Sequence, residues 1–235
     1  MDWGRSMQIT ERRSNESGRD YAMRMIKDNI ISLELEPGMT ISDRELAAQM
    51  GLSRTPVREA LLDLAKAKVV DIYPQRGSQV ALIDYSLVEE AQFVRSVLEV
   101  AVVELACSKA DEKDIRDLEE NIALQGFYLE HQTPEKMLEL DDSFHRLLFQ
   151  AAGKMQAYEL MKSITIHFDR VRNMSVFAVK EQKWMEDHRQ IFEAVKLHDA
   201  DTAKSGMKKH LERFHVDEAA IRQRYPQYFE QAQNS

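Results

Sequence analysis

Apolar residues recur at helical spacing along most of this chain, with one short departure. Tyr21, Met25, Ile26 and Ile30 share one side of a first helix, and Leu33–Met39, with Pro37-Gly38, reads as a turn. Leu46 and Met50 then stand i, i+4 on a short helix that Gly51 ends by supplying positive φ. Val57, Leu61 and Leu64 make the stripe of the next helix. Ser42 with Glu45 predicts a capping box for the shorter helix, and Ser53 a cap for the longer one. Pro56 is tolerated in the first turn, where its missing N–H has no partner to lose. Two strand-like runs follow around Pro74–Gly77, with Asp71 between Val70 and Ile72 as in a strand with one buried face. Beyond Leu82 the helical spacing returns and persists. It predicts helices at 86–109, 111–130, 134–152, 155–178, 181–197 and 200–223, punctuated by Asp111, Thr133-Pro134, Gly153 and Asp199, with Pro226 after the last.

The pattern predicts a mostly α protein: an N-terminal winged helix-turn-helix plus a C-terminal all-α antiparallel helical bundle. Residues 1–18 are polar and aperiodic and are expected to be a disordered tail. Residues 19–82 form the winged unit, 84–225 the bundle and 226–235 a second tail. The winged unit is a device for placing one helix in the DNA major groove. Arg54, Thr55 and Arg58 fall away from the apolar stripe, at the N-terminal end of the second helix, with the hydroxyl of Ser53 beside them. An arginine fork there can bond two acceptors on guanine. Arg76-Gly77 lies at the wing tip, where arginine can enter a minor groove.

Composition changes this picture in one respect. A net charge of −8 argues against nucleic acid, but the two parts differ. Residues 1–83 hold 12 Lys/Arg against 12 Asp/Glu, and the remainder 20 against 28, so the acidity belongs to the second part. DNA affinity then rests on local arginines and on dimerisation. The single cysteine, Cys107, excludes an intrachain disulfide and sits in an apolar helix, as a core residue does. No apolar run reaches membrane-spanning length and no signal-peptide core is present, so a soluble, cytoplasmic protein is expected.

Polar residues interrupt apolar stripes on four helices of the bundle. Asp141 and His145 share a face with Leu138 and Leu148; His188 lies with Trp184, Ile191 and Val195. His210 lies with Ala203, Met207 and Phe214, and Arg95 with Val88, Ala91, Leu98 and Val102. Inward charges need partners. Two readings stand: core histidines bonded to backbone, or one carboxylate and three imidazoles converging on a divalent metal with positions open for a carboxylate ligand. Arg95 could clamp the far end of such a ligand. Leu160, Ile164, His167 and Val171 form another stripe, which makes His167 a candidate second-sphere or effector contact. His131, His198 and His215 read as loop or exposed positions.

Arg44-Glu-Leu-Ala, Gly51-Leu-Ser-Arg-Thr-Pro-Val-Arg-Glu-Ala-Leu and Gln75-Arg-Gly resemble the GntR family of bacterial transcription regulators. Val94-Arg-Ser-Val-Leu-Glu99, Asp141-Asp-Ser-Phe-His-Arg146, His188-Arg-Gln-Ile-Phe-Glu-Ala194 and Met207-Lys-Lys-His-Leu211 resemble its FadR-type subfamily with the FCD effector domain, in the metal-binding branch. The resemblance implies DNA contacts at Arg44, Arg54, Thr55, Arg58, Arg76 and Gly77. It implies a zinc, nickel or manganese ion on Asp141, His145, His188 and His210, and an effector-facing Arg95. It further implies a homodimer on a palindromic double-stranded operator, a small carboxylate effector and, most often, repression. The rival readings are a purely structural metal and a metal-dependent hydrolase; against the latter, no general base stands beside the ligands.

Overall fold

The computed structural model describes residues 7–131, 133–178, 184–212 and 218–229. Contacts divide the chain into two units. The first holds residues 1–88, 166–171 and 225–235, and the second residues 89–165 and 172–224, so the division is not a single cut near residue 83.

In the first unit α1 (Gly18–Ile31) is capped by Ser17, whose side chain accepts from the Asp20 N–H, and buries Tyr21, Met25, Ile26 and Ile30 as its pattern predicts. α2 (Asp43–Met50) ends on Gly51 at φ 65°, the left-handed conformation that glycine adopts without strain. α3 (Arg54–Lys66) buries Val57, Ala60, Leu61 and Leu64 against α1 and α2. The capping box does not form: neither Ser42 nor Ser53 makes a side-chain cap bond, although each has the extended backbone of a cap residue. At this site Asp43 and the arginines of α3 dominate the polar contacts instead.

β1 (Thr40–Ile41), β2 (Val70–Tyr73) and β3 (Gly77–Val80) form an antiparallel sheet in the order β1-β3-β2. Val70 pairs with Val80 and Tyr73 with Gly77, which closes the wing. The half-buried alternation expected for β2 is absent: Asp71, Ile72 and Tyr73 are all exposed, because only the start of this strand reaches the core.

Residues 7–17, within the segment expected to be disordered, run against α1. Met7 is buried, its N–H donating to Gln49 Oε1, and Asn29 exchanges bonds with the Gln8 backbone at 2.7 and 3.0 Å. The aperiodic sequence hides this because the arm is held by side chains of α1 rather than by its own hydrogen-bond ladder.

The second unit is helical. α4 (Tyr85–Lys109) enters it after its first turn, followed by α5 (Glu112–Glu130) and α6 (Pro134–Ala151). The helix expected over 155–178 is two, α7 (Met155–Ile164) and α8 (Ile166–Ala178), with a break at Thr165. The break explains why Leu160 and Ile164 are exposed while His167 and Val171 are buried, so the stripe predicted across them does not exist. α9 (Trp184–Lys196) and α10 (Ala200–Glu212) follow, then α11 (Glu218–Arg224). Phe214 and His215, and the first residues of the helix expected from 181, lie outside the described residues. The core of this unit gathers Phe144, Leu148, Phe149, Ile191, Val195 and Met207, with Cys107 among them as expected.

Candidate nucleic-acid interface and candidate metal centre

On the first unit Arg44, Ser53, Arg54, Thr55, Arg58, Arg76 and Gly77 are all exposed. Gly77 has φ 92°, and Gln75 before it φ 63°, which turns the wing tip and presents Arg76. One residue of this surface escaped the sequence reading. Asp43 accepts two bonds from Arg54 Nη2, at 2.9 and 3.0 Å, and one from Arg58 Nε. Partial burial pushes the Asp43 carboxyl up, but Arg54 and Arg58 outweigh it and hold it below the usual range. The three groups form a preset fork at the start of α3. Only Arg54's spacing of 11 from Asp43 hints at it, and that spacing crosses the turn between two helices.

α8 contributes to the first unit through its opening turns. His167 Nε2 donates to Ala67 O, the residue capping the end of α3, at 3.0 Å. Its Nδ1 has no hydrogen-bond partner among the described residues. Burial lowers this imidazole's pKa to about 4, since the cation would present a second, unsatisfied donor. His167 is not among the grouped ligand candidates of the described residues, and its hydrogen bond goes to the end of α3. Arg170, fully buried, donates from Nη2 to Ala81 O just past the wing.

In the second unit Asp141, His145, His188 and His210 meet, each offering a ligand atom within 4.8 Å of the others. α6 brings the first two at i, i+4, and α9 and α10 bring one imidazole each. Gly206, one turn before His210, permits that approach. A Cβ there would lie 3.1 Å from Ile191 Cγ1, tighter than ordinary van der Waals contact, so Ile191 or the helix would have to give by a few tenths of an ångström. Phe144 stacks on the His188 ring with centroids 4.1 Å apart.

The ring orientations are set by neighbours. Asn121 Nδ2 donates to Leu140 O, and Gln125 Nε2 to Asn121 Oδ1 at 2.6 Å, which leaves Gln125 Oε1 to accept from His188 Nδ1 at 3.0 Å. His145 Nδ1 lies 2.5 Å from Glu99 Oε2. With protons on those two Nδ1 atoms, the Nε2 atoms of His188 and His145 carry lone pairs toward the site, and His210 Nε2 lies near both. His188 and His210 Nε2 are 3.3 Å apart, and His210 and His145 Nε2 3.2 Å. Asp141 Oδ1 is 3.5 Å from His188 Nε2 and 3.9 Å from His145 Nε2. Ligands at about 2.1 Å from one ion stand about 3.0–3.4 Å apart for angles of 90–109°; the two imidazole–imidazole separations fall in that range and the two from Asp141 lie beyond it. Without an ion, His210 Nε2–H can donate to one neighbouring imidazole and Arg95 Nη2 lies beside His145 Nε2; with an ion among them, three imidazole Nε2 lone pairs and the Asp141 carboxylate could all face it, so the donor set fits a divalent ion. Desolvation, then His145, lowers His210 to about pKa 3, and burial with its two neighbouring imidazoles puts His188 well below its usual value. Burial thus favours the neutral form of both, which a metal ligand requires.

Two guanidiniums flank the group. Arg95, buried, donates from Nε to Glu99 Oε1 at 2.6 Å, and its Nη2 lies 3.4 Å from His145 Nε2. Burial pushes Glu99 up, but Arg95 and then His145 hold it far below the usual carboxylate range. Arg172 donates to Asp141 Oδ2 and, at 2.6 Å, to Asp142 Oδ1. Glu99, Gln125 and Arg172 were not foreseen as site residues. The i, i+4 spacing of Arg95 and Glu99 was a usable signal, whereas Arg172 reaches the site only because α8 follows the break at Thr165.

Comparison with known proteins finds a matching family for each part of the chain. Residues 20–80 match the bacterial regulatory proteins of the gntR family, and residues 90–213 match the FCD domain. The HTH-type transcriptional repressor RspR of Escherichia coli K12 is 33% identical over 207 residues, covering 88% of this chain and 91% of that protein. An HTH-type regulator encoded in an unstable DNA locus of Streptomyces ambofaciens is 33% identical over 224 residues, 95% and 93% of the two chains. Among solved structures, E. coli McbR/YncC superposes with a TM-score of 0.77 at 20% identity over 89% of this chain and 99% of that one, a likeness of fold. These relatives are regulators and not enzymes, and no helix among the described residues is long and apolar enough to cross a membrane. The chain belongs to the GntR family of bacterial regulatory proteins, as a DNA-binding transcriptional regulator carrying an FCD domain.

Proposed function

We propose that this regulator is a cytoplasmic repressor whose grip on a palindromic operator, as a homodimer, is set by a small organic acid at a divalent ion. Asp141, His145, His188 and His210 would hold the ion, zinc before nickel or manganese given three imidazoles and one carboxylate. The ion would supply a Lewis-acidic anchor for a carboxylate. The observation that carries the reading is the convergence of four ligand atoms beside two guanidiniums.

Charge supports an anionic ligand. Arg95 and Arg172 are balanced by Glu99 and Asp141, while Asp142 also has Lys162 at 3.5 Å. A divalent ion added to that balanced set leaves two positive charges in a desolvated place, which one or two carboxylates would neutralise. Arg95 would receive the acid's far end, at the expense of its bond to Glu99. Arg44, Ser53, Arg54, Thr55, Arg58, Arg76 and Gly77 would carry the DNA contacts. The acid can act only through unequal affinity for the DNA-competent and DNA-incompetent arrangements, typically about 1–3 kcal/mol.

Thermal shift with zinc and a panel of mono- and dicarboxylic acids, with and without chelator, tests this. Stabilisation by an acid only in the metal-loaded protein supports the sensor. Metal stabilisation with no response to any acid leaves the ion structural, and turnover of an acid would reinstate the hydrolase.

A further inference from the structure

The arm before α1 bears on DNA binding. It runs antiparallel to α1, from Gln8 beside Asn29 to a tight turn at residues 12–17, where Glu16 N–H donates to Arg13 O at 3.1 Å. That turn is fastened at several points. Arg24 reaches from α1 to both Glu16 carboxylate oxygens, at 2.7 and 2.8 Å, to Thr10 Oγ1 and to Glu11 O. Arg12 Nε donates to Glu16 O at 2.7 Å, and the Arg13 N–H to Glu16 Oε2. Arg24, helped by the Arg13 backbone N–H, lowers Glu16 to about pKa 2, so this carboxylate is neutralised by its own anchors. Arg19 is likewise occupied by Asp63.

Gly18, directly after the turn, sits beside the start of the recognition helix. A Cβ on Gly18 would lie 3.7 Å from Pro56 Cβ and 3.8 Å from Leu52 Cδ2. Those residues are the first turn of α3 and the tight turn before it, the end at which Arg54, Thr55 and Arg58 are displayed. Arg13 is five residues from Gly18, at most about 17 Å along an extended chain and less with the turn closed. Among the described residues, Arg12 spends only Nε on a hydrogen bond and the Arg13 guanidinium makes none. Both residues are exposed, and Glu11 is the one exposed acid next to them in sequence.

We propose that residues 12–17 are a second DNA-contacting element, in which Arg12 and Arg13 bind backbone phosphates flanking the bases read by α3. The proposal rests on α3 being the reading helix. Arginine on an anchored turn loses less conformational freedom on docking than arginine on a free tail, and phosphate contacts fix register without carrying sequence information.

The test is a salt titration of the full chain by fluorescence anisotropy. Two probes serve: a duplex enriched by the wild-type protein from a random pool, and an unrelated mixed-sequence duplex. Replacing both arginines with glutamine should make the slope of log affinity against log salt shallower by about 1.8, at about 0.9 per phosphate contact. The ratio of wild-type to variant affinity should then fall about 12-fold between 50 and 200 mM salt, alike on both probes. R12K/R13K, which loses the same guanidinium bond to Glu16 O but keeps the charge, should retain the wild-type slope. An unchanged slope in R12Q/R13Q, or an equal loss in the lysine variant, overturns the proposal and leaves the arm a structural brace. Arg58→Ala separates the two claims. If that variant keeps its preference for the enriched duplex, the assignment of α3 as reading helix fails, whatever the arm does.

Discussion

Gln125 offers the most discriminating test of the metal centre, because it touches no ion. Its Oε1 accepts from His188 Nδ1 at 3.0 Å in a fully buried setting, and its amide is oriented by the bond to Asn121 Oδ1 at 2.6 Å. Gln125→Ala removes the acceptor, so the neutral His188 ring no longer gains from keeping its proton on Nδ1. The tautomer with the proton on Nε2 then competes, and that tautomer cannot ligate. Loss of such a supporting bond costs about 10–100-fold in metal affinity, or about 1.4–2.7 kcal/mol. Competition against a chromophoric zinc chelator measures it directly. Gln125→Glu, which still accepts at Nδ1, should bind zinc at least as tightly as the wild type. Unchanged affinity in the alanine variant would refute the claim that His188 ligates through Nε2. Equal losses in the alanine and glutamate variants would point to general disruption of the core.

Three further outcomes follow from the geometry. Asp43→Asn should release Arg54 and Arg58 and remove a negative charge from the proposed DNA-contact surface. Binding to unrelated duplex should tighten while the ratio of specific to non-specific affinity falls, as measured by anisotropy at fixed salt. His167, with its pKa lowered to about 4 from 6.5, binds protons more readily unfolded than folded below neutrality, so its stabilising contribution is lost as pH falls through that window. Between pH 7.5 and 5 this amounts to about 2 kcal/mol of opening free energy, and hydrogen exchange across residues 60–70 should show it in wild type but not in His167→Gln. Gly206→Val should force α10 from α9 at a cost of about 1–3 kcal/mol and weaken zinc binding by drawing His210 from His188; an unchanged zinc affinity would show that this close approach does not set the site.

Much of the molecule is legible in one dimension because its signals are local. The i, i+4 and i, i+7 stripes of α1 and α3, the glycine at residue 51 and the wing turn at 74–77 each depend on a few neighbouring residues, and the structure has them. The four candidate ligands were legible for a related reason: a polar side chain on an apolar stripe points inward, and Asp141, His145, His188 and His210 had only to meet. What tertiary structure alone decided is whatever depends on partners distant in sequence. Asp43 gathers the arginines of the next helix, and the break at Thr165 sends His167 to the end of α3 and Arg172 to Asp141. The polar arm at 7–17 gains its order from Arg24, Asn29 and Gln49 rather than from itself. Periodicity records which side of an element faces the core; which buried polar atom meets which is set by the packing of whole elements, and no window of sequence contains it.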